Sequence, residues 1–440
     1  MAELRPSGFP EYSPGQQLIF DKLKATIEQS YQAFGYTHIH TPAVEKNEVL
    51  LSKNGEETGK QIFGLYGMAQ GSQDLKDYGL HFDLTVPFAR YTLDWEHQLT
   101  FPFKRYQIQP VWRGERAQKG RYREFFQCDI DVIWKGEKSY LYYDAEIIAT
   151  LGQTLSEVLK VCELEDQAVF HISNKKLIKA FLASVSSDEE QAKAISNLID
   201  KYSKIGEENF VATLEQDLGI SSETVKKILT FIAFQTSDFG QLEEIAGFDQ
   251  SELFKEGLEE LKTVLGFLEQ MKSAMQLKFE WKVDLQIIRG LDYYTGTIFE
   301  AVLKNDEKLG SICGGGRYEN LTGYIDPKRN DYCGVGWSIG ISRILGKVFE
   351  EQKNQKQTVA DYLFLHFEEN FENILQLAGQ FAQKGQTFEI FPSPEKLGKQ
   401  FAYADKKGIP FVVVYWEGEK QQGIYKLKNM TTGEETSHSL

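Results

Sequence analysis

The chain has no apolar run near the roughly 18 residues that a membrane-crossing helix needs, so a bilayer-spanning protein is not expected. Its opening stretch, MAELRPSGFPEYSPG, carries neither the apolar segment of a secretory signal nor an Arg/Ser-rich amphipathic leader pattern. The expectation is a cytoplasmic protein that does not engage a membrane. Cysteine is scarce: Cys128, Cys162, Cys313 and Cys333 lie far apart, none at CxxC spacing and none beside histidines in a ligand pattern. That excludes a disulfide framework and a zinc site, so no protein-held metal is expected. The glycine triplet Gly314–Gly316 is not part of a GxGxxG pattern, which removes a dinucleotide-binding reading. Internal repeats and low-complexity tracts are absent as well.

What is present is a 440-residue chain, 41% hydrophobic and 26% charged, with 30 Phe and 21 Tyr. That length and composition suggest two or three globular domains with apolar surface to spare for stacking on ligands. The net charge of −15 is uneven. Residues 184–276 carry 8 Lys/Arg against 18 Asp/Glu, a net of −10, whereas residues 103–123 carry 7 Lys/Arg against one Glu. Phosphate binding follows local cation density, so the second segment is the place to look for it.

Leu23, Ile27, Tyr31 and Phe34 recur at helical spacing and Gly35 follows as a C-cap, which predicts a long N-terminal helix. YTHIHTPAVE reads as a strand broken at Pro42. RYQIQPVWR and EFFQCDIDVIW read as an antiparallel hairpin around the basic loop GERAQKGRY. Residues 184–276 show helical periodicity without strand signals and read as an acidic helical insertion. VDLQIIRGLDYYTGTIFEAVL resumes the strands, CGGGRY reads as a glycine-rich turn, and YCGVGWSIGISRILGKVF as a strand running into a helix. After the polar segment EEQKNQKQTVA, the runs DYLFLHF, TFEIF and IPFVVVYW alternate with helical stretches, which predicts a small α/β domain with a parallel sheet.

Four segments carry chemistry. The hairpin places Arg113, Glu115, Arg116, Arg121 and Arg123 within eleven residues, and arginine forks suit bidentate phosphate binding. In RGLDYYTGTIFE, Arg289 follows an apolar strand, and Asp292, Tyr293 and Tyr294 crowd a short glycine-bounded segment. The glycines of SICGGGRYENL permit close backbone approach to a ligand. In GVGWSIGISRIL, Gly340 precedes a helix carrying Arg343. Taken singly, each has an ordinary structural explanation: a solvated charged hairpin, a flexible turn or a helix-surface arginine.

Together they resemble the class II aminoacyl-tRNA synthetases and, within them, the histidyl-tRNA synthetases. The stretch around Pro42 resembles the dimer-forming motif 1, RYQIQPVWRGERAQKGRYREFFQCDID motif 2, and GVGWSIGISRIL motif 3. RGLDYYTGTIFE and CGGGRYENL match the two motifs peculiar to the histidyl enzymes, and KLGKQFAYADKKGIPFVVV resembles their anticodon-binding domain. The resemblance spans nearly the whole chain and implies an α+β fold. Its catalytic core, an antiparallel sheet, would occupy residues 1–183 and 277–350. The helical insertion would be 184–276, a linker 351–360, and an anticodon-binding α/β domain 361–440.

The resemblance also implies an activity: histidine–tRNA ligation through a histidyl-adenylate, with ATP, Mg2+ and the tRNA for histidine as partners, in a homodimer. By position it assigns Arg113 and Arg289 to the α-phosphate as the catalytic pair, Arg113 from motif 2 and Arg289 from the opposite side. Glu115, Arg121, Arg123, Phe125 and Arg343 complete the ATP site. Histidine would be held by Asp83, Leu84, Thr85, Arg113, Gln127, Asp131, Arg289, Tyr293 and Tyr294. His81 stands where many members of the family have an arginine. Lys396, Lys399, Lys406 and Lys407 are the cations available for the anticodon in a terminal segment with 8 Lys against 11 acids. Adenylate formation joins two anions in line, so positioning and positive charge supply the catalysis, and the carboxylate nucleophile needs no base. Two competing functions are a non-catalytic regulatory paralogue of these synthetases and a biotin- or lipoate-type ligase on the same core. The retained RGLDYY and arginine positions and the imidazole-reading segment weigh against both.

Overall fold

The computed structural model describes residues 5–52, 59, 61–66, 77–116, 122–136, 140–288, 294–351, 356–368 and 371–440. The chain divides into two compact units, one comprising Met1–Pro10 with Lys24–Gly346 and the other Glu11–Leu23 with Lys347–Leu440.

The first unit is built on a nine-stranded sheet. In chain order its strands are β1 (Thr37–His38), β2 (Phe103–Trp112), β3 (Glu124–Lys135), β4 (Ala168–Asn174), β5 (Gln235–Thr236), β6 (Glu280–Asp284), β7 (Thr297–Leu303), β8 (Cys313–Glu319) and β9 (Tyr332–Gly340). Their spatial order is β1-β2-β3-β9-β8-β7-β4-β6-β5, antiparallel except at β1·β2 and β4·β6. The expected hairpin is β2–β3, and the strand interrupted at Pro42 is realised as Thr37–His38 followed by Val44–Lys46. Gly35 ends the helix Pro14–Ala33 with φ +80°, a conformation that glycine adopts at no steric cost.

Period-2 alternation gives this sheet two different faces. On β3, Cys128, Ile130 and Val132 point one way and Gln127, Asp129 and Asp131 the other, and all six are buried. The apolar face continues through Trp337 of β9, Phe299 of β7 and Phe170 of β4, with Trp337 stacked on Phe299 at 4.2 Å. The helix Leu141–Val161 is anchored here through its buried Asp144, which accepts from Thr297 Oγ1 at 2.7 Å and pairs with Arg317 at 2.7 Å. The opposite face is polar across its width. Gln107, Asp129, Ser338, Gly314, Glu300, His171 and Lys282 lie side by side on seven successive strands.

Two expectations change here. CGGGRY is not a turn but the body of β8. Its glycines occupy strand positions because neighbouring groups fill the space that a side chain would need: a Cβ on Gly315 would lie 2.1 Å from the Gly336 carbonyl oxygen. Residues 184–276 also contain a strand, β5, which forms the sheet edge beside β6, and they fall within the same compact unit as the sheet. Helix Glu252–Met275 buries Leu258, Leu261, Leu265 and Leu268, and its Glu260 accepts from Asn174 at the end of β4 at 2.9 Å.

Among the described residues the second unit is built on a five-stranded sheet, β10 (Tyr362–Phe364), β11 (Phe388–Ile390), β12 (Phe411–Val414), β13 (Ile424–Asn429) and β14 (Glu435–Ser439), in the order β11-β10-β12-β13-β14. The first three are parallel, as the alternating pattern predicts, and the last two add an antiparallel extension. Helix Phe371–Gln383 packs Ile374, Leu377 and Phe381 with Phe364 and Val413, whereas Ala404 of helix Leu397–Lys407 packs with Leu363, Leu365 and Val412. Adjacent residues of β10 thus point to different helices, the pattern of a parallel sheet covered on both sides. Among the described residues, no helix is long and apolar enough to cross a membrane.

Candidate active site

The polar face of the large sheet floors a cleft of about 1340 Å³. Nine of the residues assigned from the sequence line it: Asp83, Thr85, Arg113, Glu115, Phe125, Gln127, Asp131, Tyr294 and Arg343. Leu84 is fully buried and does not line the cleft, and Arg123 also lies outside the lining, its Nε donating to the Glu115 carbonyl at 3.0 Å. Arg121, Arg289 and Tyr293 lie outside the described residues.

Each lining group is aimed by a local cause. Arg113 leaves the end of β2, where its N–H donates to the Arg123 carbonyl at 2.8 Å across the hairpin mouth. Its Nε donates to the Phe82 carbonyl at 3.2 Å, and its guanidinium lies 5.0 Å from the centre of the Phe125 ring. Asp83 accepts from the Val86 N–H at 3.1 Å and so holds the first turn of helix Thr85–Trp95, which also presents Thr85. Gln127 donates to Ser338 Oγ at 2.9 Å across β3·β9. Arg343, just past β9, donates from Nη1 to the Ser311 carbonyl.

Glycines make room for the deep part of the cleft. A Cβ on Gly336 would sit 1.8 Å from Asp131 Oδ1, and one on Gly334 would meet the Tyr318 ring at 2.6 Å. Without those side chains, Tyr318 reaches across β9 and donates its hydroxyl to Asp131 Oδ1 at 2.8 Å. A Cβ on Gly316 would lie 2.9 Å from Tyr294 Cδ1, so that glycine clears the place of the tyrosine.

The sequence reading missed the ion pair beneath these groups. Arg105 is fully buried, pairs with Asp131 Oδ2 at 2.6 Å and lies 4.3 Å from the Phe88 ring centre. Asp129 was missed too. The available signal was QCDID itself, where a glutamine and two acids alternate with apolar residues in a strand otherwise rich in Ile and Val. Burial pushes Asp129 up to about 7, reinforced by the nearby Asp131 and Asp83 and opposed by Arg105 and a Ser338 hydrogen bond. Burial likewise pushes Asp131 up to about 6, against the pull of Arg105 and Tyr318.

His81 does not take the place of a cleft arginine. It is fully buried, its Nε2–H donates to the Pro110 carbonyl at 2.8 Å, and its ring lies 5.4 Å from Trp112. Burial lowers its basicity, so it packs as a neutral ring.

The two raised carboxyls set a pH dependence. In the folded chain Asp129 holds its proton up to about pH 7, whereas an unfolded aspartate releases it near pH 4. The folded state therefore binds the extra proton between those values. This stabilising contribution is complete below about pH 4 and is lost as pH rises through about 7. Asp129→Asn should accordingly raise the melting temperature at pH 8 more than at pH 5 in the ligand-free protein. A calorimetric difference between variant and parent that is constant from pH 5 to 8 would contradict the assignment.

The chain is similar to known proteins over nearly its whole length. The family model described as histidyl-tRNA synthetase matches residues 8–344, and the model described as anticodon binding domain matches residues 357–440. The histidine–tRNA ligase of Clostridium tetani is 39% identical over 437 residues, covering 98% of this chain and 95% of the relative. That of Stenotrophomonas maltophilia is 38% identical, covering 97% and 93%. The crystal structure of a Nostoc histidyl-tRNA synthetase superposes with a TM-score of 0.87 at 34% identity, covering 100% of this chain and 97% of that one. With a family match over most of its length and relatives this similar from end to end, the chain belongs to the histidyl-tRNA synthetase family.

Proposed function

We propose that the polar cleft of the large sheet is the place where histidine and ATP meet, with the histidine over β3, β8 and β9 and the adenine against Phe125. The chain is a histidine–tRNA ligase, which activates histidine with ATP and transfers it to the tRNA for histidine. One observation carries the placement: carboxylates, amides, an arginine fork and an aromatic face, drawn from distant parts of the sequence, line one cleft.

In this reading Asp83, Thr85 and Gln127 hold the ammonium group of histidine, and Asp131, Tyr294 and Tyr293 face the imidazole. A buried acid bonded to Tyr318 and Arg105 suits a polar ring and would be left underused by an apolar one. Such sites discriminate by roughly 10⁴ without editing. Arg113 takes the α-phosphate, stacked over the ring on which the adenine rests. Arg289 takes the other side of that phosphate, and Arg343, Glu115 and Arg121 complete the nucleotide site, with Arg123 bracing the hairpin mouth through its hydrogen bond to the Glu115 carbonyl. The reaction is an in-line displacement at phosphorus, for which fixed cations supply most of the rate.

Among the described residues no three His, Cys, Asp or Glu side chains converge on a metal position. We assign Mg2+ to the ATP phosphates, where it neutralises charge with few protein ligands. Loss of pyrophosphate exchange on chelation, restored by Mg2+, checks this. The anticodon falls to the unit ending at Leu440, and the protein works in the cytoplasm, where cell fractionation should find it.

The assembly proposed is a homodimer, paired through the element around Pro42. Light scattering at micromolar concentration should give about twice the 50.4 kDa chain mass. A fully active monomer would end this assignment. The function as a whole is tested by charging a transcript of the tRNA for histidine with labelled histidine. Charging that needs ATP and is blocked by an adenylate analogue is expected, and absence of charging by the folded chain would overturn it.

A further inference from the structure

The second unit has a topology that marks a ligand position. Its three parallel strands run β11-β10-β12, so the chain leaves β10 to one side and later returns on the other. Crevices outside the carboxyl ends of strands at such a switch point are where α/β sheets bind ligands. Here that crevice is flanked by the segments that follow β10 and β12.

Both segments carry aromatics. Phe367, three residues past the end of β10, and Trp416, two past the end of β12, meet with ring centres 4.9 Å apart. Trp416 is 43% exposed, a high value for the largest apolar side chain. His366 and Phe371 form a second stack beside them at 4.4 Å, with Phe371 39% exposed.

The backbone that carries Phe367 is fixed from below. Gln400, fully buried, accepts from the His366 N–H at 2.8 Å and donates to the His366 carbonyl at 3.0 Å and the Glu395 carbonyl at 2.8 Å. His366 Nδ1 adds a hydrogen bond to the Phe391 carbonyl, just past β11, at 3.0 Å. The exposed indole of Trp416, backed at a tilt of 38° by the half-buried Phe367 on a pinned strand end, is a preorganised aromatic surface.

The cations expected to serve RNA here are in part committed elsewhere. Lys407 pairs with Glu389 at 2.7 Å and Lys399 with Glu395 at 2.6 Å. Around the platform the exposed charges that follow Phe367 and Trp416 in sequence are acids, Glu368 and Glu417. That combination is poor for phosphate and good for a base. Unpaired RNA bases stack on aromatic faces and are read on their Watson–Crick edges. A carboxylate accepts from the edge that donates, which in guanine is N1–H with the amino group. The histidine codons CAU and CAC pair with an anticodon that has guanine at its first and third positions.

We propose that Phe367 and Trp416 form a stacking platform for a guanine of the anticodon, with Glu368 and Glu417 as acceptors for its donor edge. This rests on the reading that the second unit takes the anticodon.

The test uses the full chain and two transcripts of the tRNA for histidine, one native and one abasic at both anticodon guanines. Stacking of one base corresponds to about a 5- to 150-fold change. Trp416→Ala should lower kcat/KM for charging the native transcript by that factor, mainly through KM for tRNA. Histidine-dependent pyrophosphate exchange should remain at the parent level. Trp416→Phe should keep most of the activity, and Phe367→Ala should behave like Trp416→Ala. On the abasic transcript, Trp416→Ala should cause no further loss. A parent enzyme that charges both transcripts equally would overturn the anticodon reading itself, and the platform with it. If the parent discriminates but a folded Trp416→Ala protein charges the native transcript normally, the platform alone is overturned. A Trp416→Ala loss that persists undiminished on the abasic transcript would also overturn the platform.

Discussion

Arg113→Ala should slow histidyl-adenylate formation by about 10²–10³, the usual cost of removing one preorganised donor from a developing charge. The side chain has little structural work to lose. It is half-exposed, and its guanidinium is steadied by one hydrogen bond from Nε to the Phe82 carbonyl and by the Phe125 ring. With Nε spent on the backbone, the two Nη groups remain for oxygens on the transferring phosphorus. The attack joins a carboxylate to a phosphate, so repulsion grows as the reacting atoms approach. A fork held in place beforehand offsets that repulsion most in the transition state. Arg113→Lys should recover little, because an ammonium cannot reproduce two parallel donors. Thermal stability should stay within a few degrees of the parent. Quenched-flow measurement of single-turnover activation is the check, and a folded Arg113→Ala protein that activates histidine at a near-normal rate would remove Arg113 from the catalytic set.

Asp131→Ala should damage the fold before it reports on chemistry. It would leave Arg105 as a fully buried cation without its carboxylate, and breaking such a pair from one side costs about 3–5 kcal/mol. The melting temperature should fall by about 5 °C or the protein should become insoluble. Replacing the whole pair by apolar residues of similar volume is far cheaper, and in other proteins it has been neutral or stabilising. The double variant Arg105→Met/Asp131→Leu should therefore melt closer to the parent than Asp131→Ala does. It should still bind ATP and, if Asp131 faces the imidazole as proposed, lose histidine binding by at least about 10²-fold. Calorimetric titration with each ligand separates the two roles. A folded double variant with parent-like affinity for histidine would show that Asp131 only buttresses the sheet.

These two residues also show what the sequence made readable. Arg113 stands out by charge and position, since a basic cluster at a hairpin mouth is visible without coordinates. The hairpin strands themselves follow from alternation and from bracketing turn residues. Asp131 was readable as a polar residue in an apolar strand, but its partners were not. Arg105 lies opposite it only through the register of β2 on β3, and Tyr318 reaches it only across two glycines of another strand. Both relations are long-range and leave no local pattern. The triplet Gly314–Gly316 misled for a related reason. Local chemistry favours a turn, whereas close neighbours that only the folded sheet brings together require glycine in a strand. Strand β5, two residues long among acidic helices, and the antiparallel pair β13–β14 were equally silent, because short edge strands exist by virtue of the sheet they join.

Pyrophosphate exchange with each of the twenty amino acids checks whether this cleft selects and activates histidine: ATP-dependent exchange with histidine, and none above background with any other, is the expected result. Exchange driven by a different amino acid, or none with histidine from a folded chain supplied with Mg2+, would contradict it.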